Sequence, residues 1–191
     1  MSAAGRVCTG FSKPYIANYV NTNGTISYTG VTELARGVDV KISPETGSDN
    51  IFYANNTEAE IDSGTFTGGT LTLTVDGLLA TAEAKLSGLP AVSNDWYAYD
   101  DDQDAGYFGF GFIARYMSDG VTSYVPYVLA KVAFDPLDTE ASTQEENISW
   151  QTQAITGRIL RADDTKRSWK YVGVEYSTEA AAVTALTAKL A

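Results

Sequence analysis

A chain of 191 residues suits one domain with a core of its own. A hydrophobic fraction of 44% against a charged fraction of 19% excludes a disordered chain. The net charge of -11 disfavours tight nucleic-acid binding, which needs clustered Lys and Arg.

The N-terminus, MSAAGRVCTGFSKPYI, has no long apolar stretch before a small-residue cleavage site, so no signal peptide is expected. Its lone Cys8 cannot form an internal disulfide, which fits a reducing cytoplasm. Two strand-like runs then flank Asn23-Gly24 in YIANYVNTNGTISY, a strong hairpin signal. In ELARGVDVKIS, Leu34, Val38, Val40 and Ile42 share one parity, while Asp39 and Lys41 take the other. That alternation predicts a half-buried strand.

Residues 44–64 are acidic and turn-rich around a small apolar knot, Ile51-Phe52-Tyr53. Such a length reads as a projecting arm. GTFTGGTLTLTVDG alternates strictly, with Leu71, Leu73 and Val75 inward and Thr70, Thr72, Thr74 and Asp76 outward. Phe66 has the wrong parity for that face, so a bulge is expected at Gly68-Gly69. Helical spacing of Leu78, Ala82 and Leu86 predicts a short helix, with Asp76 as its cap and Gly88 as its stop.

The segment 107–134 forms a second hairpin around Asp119-Gly120. A two-residue turn sets Tyr116 opposite Ser123, Ala114 opposite Val125, Phe112 opposite Tyr127 and Phe110 opposite Leu129. Its other face carries Ile113, Met117, Val128, Ala130 and Val132, so both faces need cover, from the short helices or from another subunit. Two further strands, 147–160 and 169–176, join around Asp163-Asp164. A closing helix has Ser177 as cap and Val183, Leu186 and Leu190 as its buried stripe. The expected fold is a single antiparallel β-sandwich or barrel with one inserted helix, one C-terminal helix and the acidic arm. No apolar run reaches the ~20 residues of a membrane span.

Segments 44–62, 90–105 and 135–146 each hold five acids and no base, which leaves 9 acids against 13 bases elsewhere. The densest run is Asp100, Asp101, Asp102 and Asp104. Read as a calcium loop from Asp101, it places Gly106 correctly but puts Gln103, Ala105 and Phe112 where acids are needed. A solvated turn is the better reading, and no metal or cofactor is expected. GFGFIA matches a dinucleotide fingerprint in letters only, because no helix opens there. The chain has no histidine and no GxSxG or GxxxxGK[ST] motif, and nothing singles out a carboxylate pair for glycoside hydrolysis. An enzyme is not expected.

Taken in order, ELARGVDVKISPETGSDNIFYANN, GTFTGGTLTLTVDGL, YFGFGFIARYMSDGVTSYVPYVLAKVAF, STQEENISWQTQAITGRILR and WKYVGVEYST resemble the major tail (tail tube) proteins of long-tailed phages and prophages of Gram-positive hosts. The resemblance spans nearly the whole chain and implies a tail-tube fold whose subunits close into six-membered, stacked rings. It implies a virion protein assembled in the host cytoplasm, with itself, the tape-measure, tail terminator and distal tail proteins as partners. Genomic DNA would pass through the bore without tight binding. On that expectation Asp39, Lys41, Thr70, Thr72, Thr74 and Asp76 face the bore. Ile51, Phe52, Tyr53, Ile113, Met117 and Val128 meet other subunits, and Asp100, Asp101, Asp102 and Asp104 lie at a ring edge. Two alternatives stand beside it: the inner tube of a contractile tail or injection device, and a monomeric β-sandwich that binds carbohydrate or protein.

Overall fold

The computed structural model describes residues 5–54, 57–62, 64–90, 95–141, 143 and 150–191, with the backbone alone over 50–62. The fold is mainly antiparallel β. Its strands are β1 (Val7–Thr22), β2 (Thr25–Glu33), β3 (Gly37–Thr46), β4 (Asn50–Ala54), β5 (Thr57–Asp62), β6 (Phe66–Val75), β7 (Phe108–Ser118), β8 (Val121–Phe134), β9 (Gln153–Leu160) and β10 (Lys170–Val172). Two helices join them, α1 (Ala80–Ser87) after β6 and α2 (Glu179–Lys189) at the end.

One sheet runs β2-β1-β7-β8-β9-β6-β3, with β10 attached to β8. Both predicted two-residue hairpins form, and each places its two turn residues at positive φ: Asn23 and Gly24, then Asp119 and Gly120. The β7–β8 register follows the sequence reading, from Tyr116 opposite Ser123 to Phe110 opposite Leu129. The sheet curls until β3 returns to the first half of β1. There the Phe11 ring stands so close to Gly37 that an added Cβ would lie 2.1 Å from it. No ladder joins β1 to β3. The result is a barrel with an open seam, where a cavity of about 350 Å³ is lined by Phe11, Val40, Ile42 and Phe112 among others.

The main core fills the curl with Leu71, Leu73, Val75, Phe108, Phe110, Leu129, Ile155 and Ile159. Burying each such side chain stabilises the fold by about 1.5–3 kcal/mol. A second, smaller core lies outside the curl. Here α2 sets Ala182, Leu186 and Leu190 against Ala17, Ile113 and Val128.

Bulges account for most departures from the simple alternation. The β3–β6 register breaks so that Thr67 is the extra residue, next to the expected Gly68-Gly69, and Phe66 turns inward to stack on Trp169 at 4.2 Å. A second break, between the Gly37/Val75 and Asp39/Thr74 pairs, leaves Val38 54% exposed rather than inward. A third, between Phe108/Val132 and Phe110/Leu129, moves Val132 from the outer face into the main core.

Two helix caps also differ. The residue before α1 is Leu79, with no side-chain cap, while Asp76 binds Arg36 instead. Thr178, not Ser177, caps α2 by accepting from the Ala181 amide. Strands β9 and β10 do not pair with each other but follow one another along the same edge of β8. Of the expected strand 147–160, residues 147–149 lie outside the described residues. No helix among the described residues is long and apolar enough to cross a membrane.

Candidate assembly surface

The predicted bore residues converge on one sheet face. Asp39 pairs with Thr74, Lys41 with Thr72 and Ser43 with Thr70. Across β6, Thr70 pairs with Arg158, Thr72 with Thr156 and Thr74 with Ala154. Because cross-strand partners share a face, these side chains form one polar field opposite Leu71, Leu73 and Ile155. Both helices pack elsewhere: Leu86 of α1 enters the main core, and α2 covers β7 and β8. Asp76 stands just past the end of β6, where its carboxylate accepts from the Arg36 amide and lies 3.7 Å from that guanidinium.

The predicted inter-subunit residues fall into three groups. Ile113 and Val128 are buried within the chain, beneath α2, so they cannot serve as contacts to another subunit. The second apolar face of the β7–β8 hairpin is covered by the chain's own helix. Met117 remains 38% exposed near the β7–β8 turn, paired with Val7 and Thr122. Ile51, Phe52 and Tyr53 lie on β4, which among the described residues pairs only with β5 in a separate two-stranded sheet, Ile51 opposite Ile61 and Phe52 opposite Glu60. Of these three only the backbone is described.

The aspartate run is an exposed turn held to the end of α1. Asp100 Oδ1 accepts from the Asp102 amide at 3.1 Å, and Asp104 Oδ1 accepts from Gly106. The Asp104 amide donates to Gly88 O, and Gln103 Nε2 to Ser87 O. Two of the four carboxylates thus bond the loop's own backbone. Among the described residues no three His, Cys, Asp or Glu groups converge to hold a metal ion. Near the N-terminal end of β9, a cavity of about 580 Å³ is lined by Asp76, Glu83, Asp138, Glu140 and Trp150, the last 87% exposed.

One cluster escaped the sequence reading. Lys131 Nζ, nearly buried, lies 2.7 Å from Asp163 Oδ2 and 4.1 Å from the Tyr107 ring centroid, with the Tyr19 ring at 5.1 Å. Tyr19 Oη donates to Asp163 Oδ2 and accepts from the Asp163 amide. The Lys131 ammonium holds the Asp163 carboxyl below its ordinary value, while burial pushes Tyr19 up to about 12. This latch ties the loop after β9 to β1 and β8. The parity of Lys131 had been hidden by the β8 bulge.

The chain matches no protein-family model, and no curated protein matches it.

Proposed function

We propose that this chain is a tail-tube subunit, a structural protein whose copies close into rings that stack into a hollow conduit for genomic DNA. The observation that carries this reading is the sheet face of Asp39, Lys41, Thr70, Thr72, Thr74, Thr156 and Arg158. It is broad and polar, and neither helix among the described residues covers it, as suits a surface lining a water-filled bore. DNA carries about one negative charge per 1.7 Å, so a mixed, weakly charged lining lets it slide where a basic one would hold it. The two-stranded arm and the outer edges of β2 and β3, which no strand among the described residues pairs, support the same reading, since open strand edges are templates for another chain. The family resemblance of the sequence adds the six-fold ring, the virion location and the tape-measure, terminator and distal tail partners.

A monomeric binding module is the second reading, favoured by the acidic cavity beside Trp150. Electron microscopy and light scattering of the purified protein decide between them. Rings or tubes at high concentration are the expected result. A strict monomer at every concentration, with no assembly on seeding, overturns the tube and leaves the module.

A further inference from the structure

We propose that Asn23 is a deamidation site, where the β1–β2 turn closes on itself as a succinimide, and that Asn21 is the guard that slows it. The inference is independent of the tail-tube reading and concerns the chain whatever it assembles into.

The susceptible bond joins Asn23 to Gly24. Both residues are exposed, and the Asn23 carboxamide carries no hydrogen bond among the described residues. A Cβ at Gly24 would meet only the Asp163 carbonyl, at 4.0 Å, so the approach to this backbone is open. The step needs water and no catalyst. The Gly24 amide gives up its proton to solvent, and its nitrogen attacks Cγ of Asn23. An N–Cγ bond forms, the Cγ–Nδ2 bond breaks, and ammonia leaves after taking a proton from water. Water then adds to one of the two succinimide carbonyls, and the ring opens to aspartate or isoaspartate. Glycine favours the step, because it has no side chain to shield its amide and no Cβ to resist the backbone rotation that closes the ring.

Two turns of matching geometry show what guards this one. Asn23 and Gly24 have φ of 52° and 83°, and Asp119 and Gly120 have 48° and 79°. Thr22 pairs with Thr25 across the first turn and Ser118 with Val121 across the second, so Asn21 and Met117 hold equivalent places. Asn21 Oδ1 accepts from the Gly24 amide at 2.8 Å. Met117 offers the Gly120 amide no such oxygen. The hydrogen bond falls on the one proton that the attacking nitrogen must lose. It also ties the Gly24 peptide plane to Asn21 and so resists the ring-closing rotation.

The Asn21 carboxamide is oriented from its other end. Lys131 first, then Tyr19 and Asn21, bond the Asp163 carboxyl and hold it below its ordinary value. A carboxylate only accepts, so Asn21 turns Nδ2 to Asp163 and leaves Oδ1 for Gly24. The latch that begins at Lys131 therefore reaches the turn. Conversion of Asn23 sets a new carboxylate two residues from Asn21, and isoaspartate adds a main-chain carbon to a two-residue turn.

The test incubates native protein and Asn21→Leu, which keeps the bulk and loses the acceptor, in warm, mildly alkaline buffer. The free peptide YIANYVNTNGTISY supplies the unguarded rate. Peptide mass mapping counts the exchange of amide for acid at Asn23, enzymatic carboxyl methylation reads isoaspartate, and melting temperature controls for folding. Native protein is expected to convert several-fold more slowly than the peptide, and Asn21→Leu several-fold faster than native. Hydrogen exchange on native protein needs no variant. Corrected for neighbouring residues, the Gly24 amide should exchange several-fold more slowly than the Gly120 amide. A folded Asn21→Leu that converts at the native rate, or a Gly24 amide that exchanges as fast as Gly120, overturns the guard. No conversion of Asn23 in either protein, under conditions that convert the peptide, overturns the site.

Discussion

Gly111 of β7 lies beneath Leu186 of α2, so closely that a Cβ on the glycine would stand 3.1 Å from Leu186 Cγ and 3.1 Å from Leu190 Cδ1. The neighbouring Gly109 is tighter still, with the Tyr28 ring 2.6 Å and Leu190 Cδ2 2.8 Å from the same position. The glycines of the GFGF run are thus spaces for a helix and a ring, and the phenylalanines point the other way into the barrel.

That contact sets the first prediction. Gly111→Val forces three extra carbons against two fully buried leucines, an overpacking that costs about 1–3 kcal/mol. For a chain of this length each kcal/mol lowers the melting temperature by about 2–4 °C. Calorimetry should show that loss, and limited proteolysis should cut ahead of α2 more readily. A melting temperature equal to the native value would mean that α2 is not held where the glycine puts it.

The second prediction concerns acid. Asp163 has a depressed folded pKa because Lys131 and Tyr19 bond its carboxylate, so its contribution is present above the ordinary value of about 4 and fades as pH falls through the depressed one. Asp163→Asn should therefore lower the urea midpoint at pH 7. The deficit should shrink as the pH falls through that depressed value and the native carboxyl also takes up a proton. A deficit that stays undiminished as the native carboxyl is protonated would show that packing, not charge, holds the loop.

The third prediction uses the base of the arm. Gly47 and Gly64 lie against each other, the Gly47 amide bonded to Thr65 O at 3.0 Å and a Cβ at Gly64 only 1.9 Å from Gly47 O. Deleting 48–63 and joining those glycines should leave the barrel folded, because β4 and β5 pair with each other in a sheet separate from the barrel's. Tube formation should be lost. Normal tubes from the deletion variant would remove the arm from assembly, and an unfolded product would make it part of the folding unit.

Local pattern carried the fold a long way. The two positive-φ turns and the β7–β8 register were legible because a two-residue turn fixes every pair beyond it. Val38 and Val132 were both misplaced by bulges, Val38 as the extra residue itself and Val132 as a residue beyond one, and a bulge does not mark itself in composition. Thr67 was nearly found because the conflict between Phe66 and Leu71 announced it. The cover for Ile113 and Val128 was visible as two options, and sequence had no means of choosing α2 over a neighbouring subunit. The Lys131–Asp163 latch was out of reach, since it joins a mid-strand lysine to a loop through tertiary contact alone.

The fourth prediction returns to the polar face. Asp39 is exposed, pairs with Thr74 and stands beside Lys41 and the threonines of β6. In contrast to Asp76, which binds Arg36, it can be changed without breaking an observed ion pair. Asp39→Lys should leave folding within about 0.5 kcal/mol of native. In a six-membered ring the substitution repeats in every subunit and shifts the local charge by roughly twelve units. If the face lines a bore, DNA passage should slow, and more so at low salt, because charges are screened beyond ~8 Å at physiological ionic strength. Thr72→Ser, on the same face and neutral, controls for shape. The measurement is the DNA ejection rate against salt for tails built from each variant. An Asp39→Lys tail that ejects at the native rate at every salt concentration would put this face on the outside of the tube.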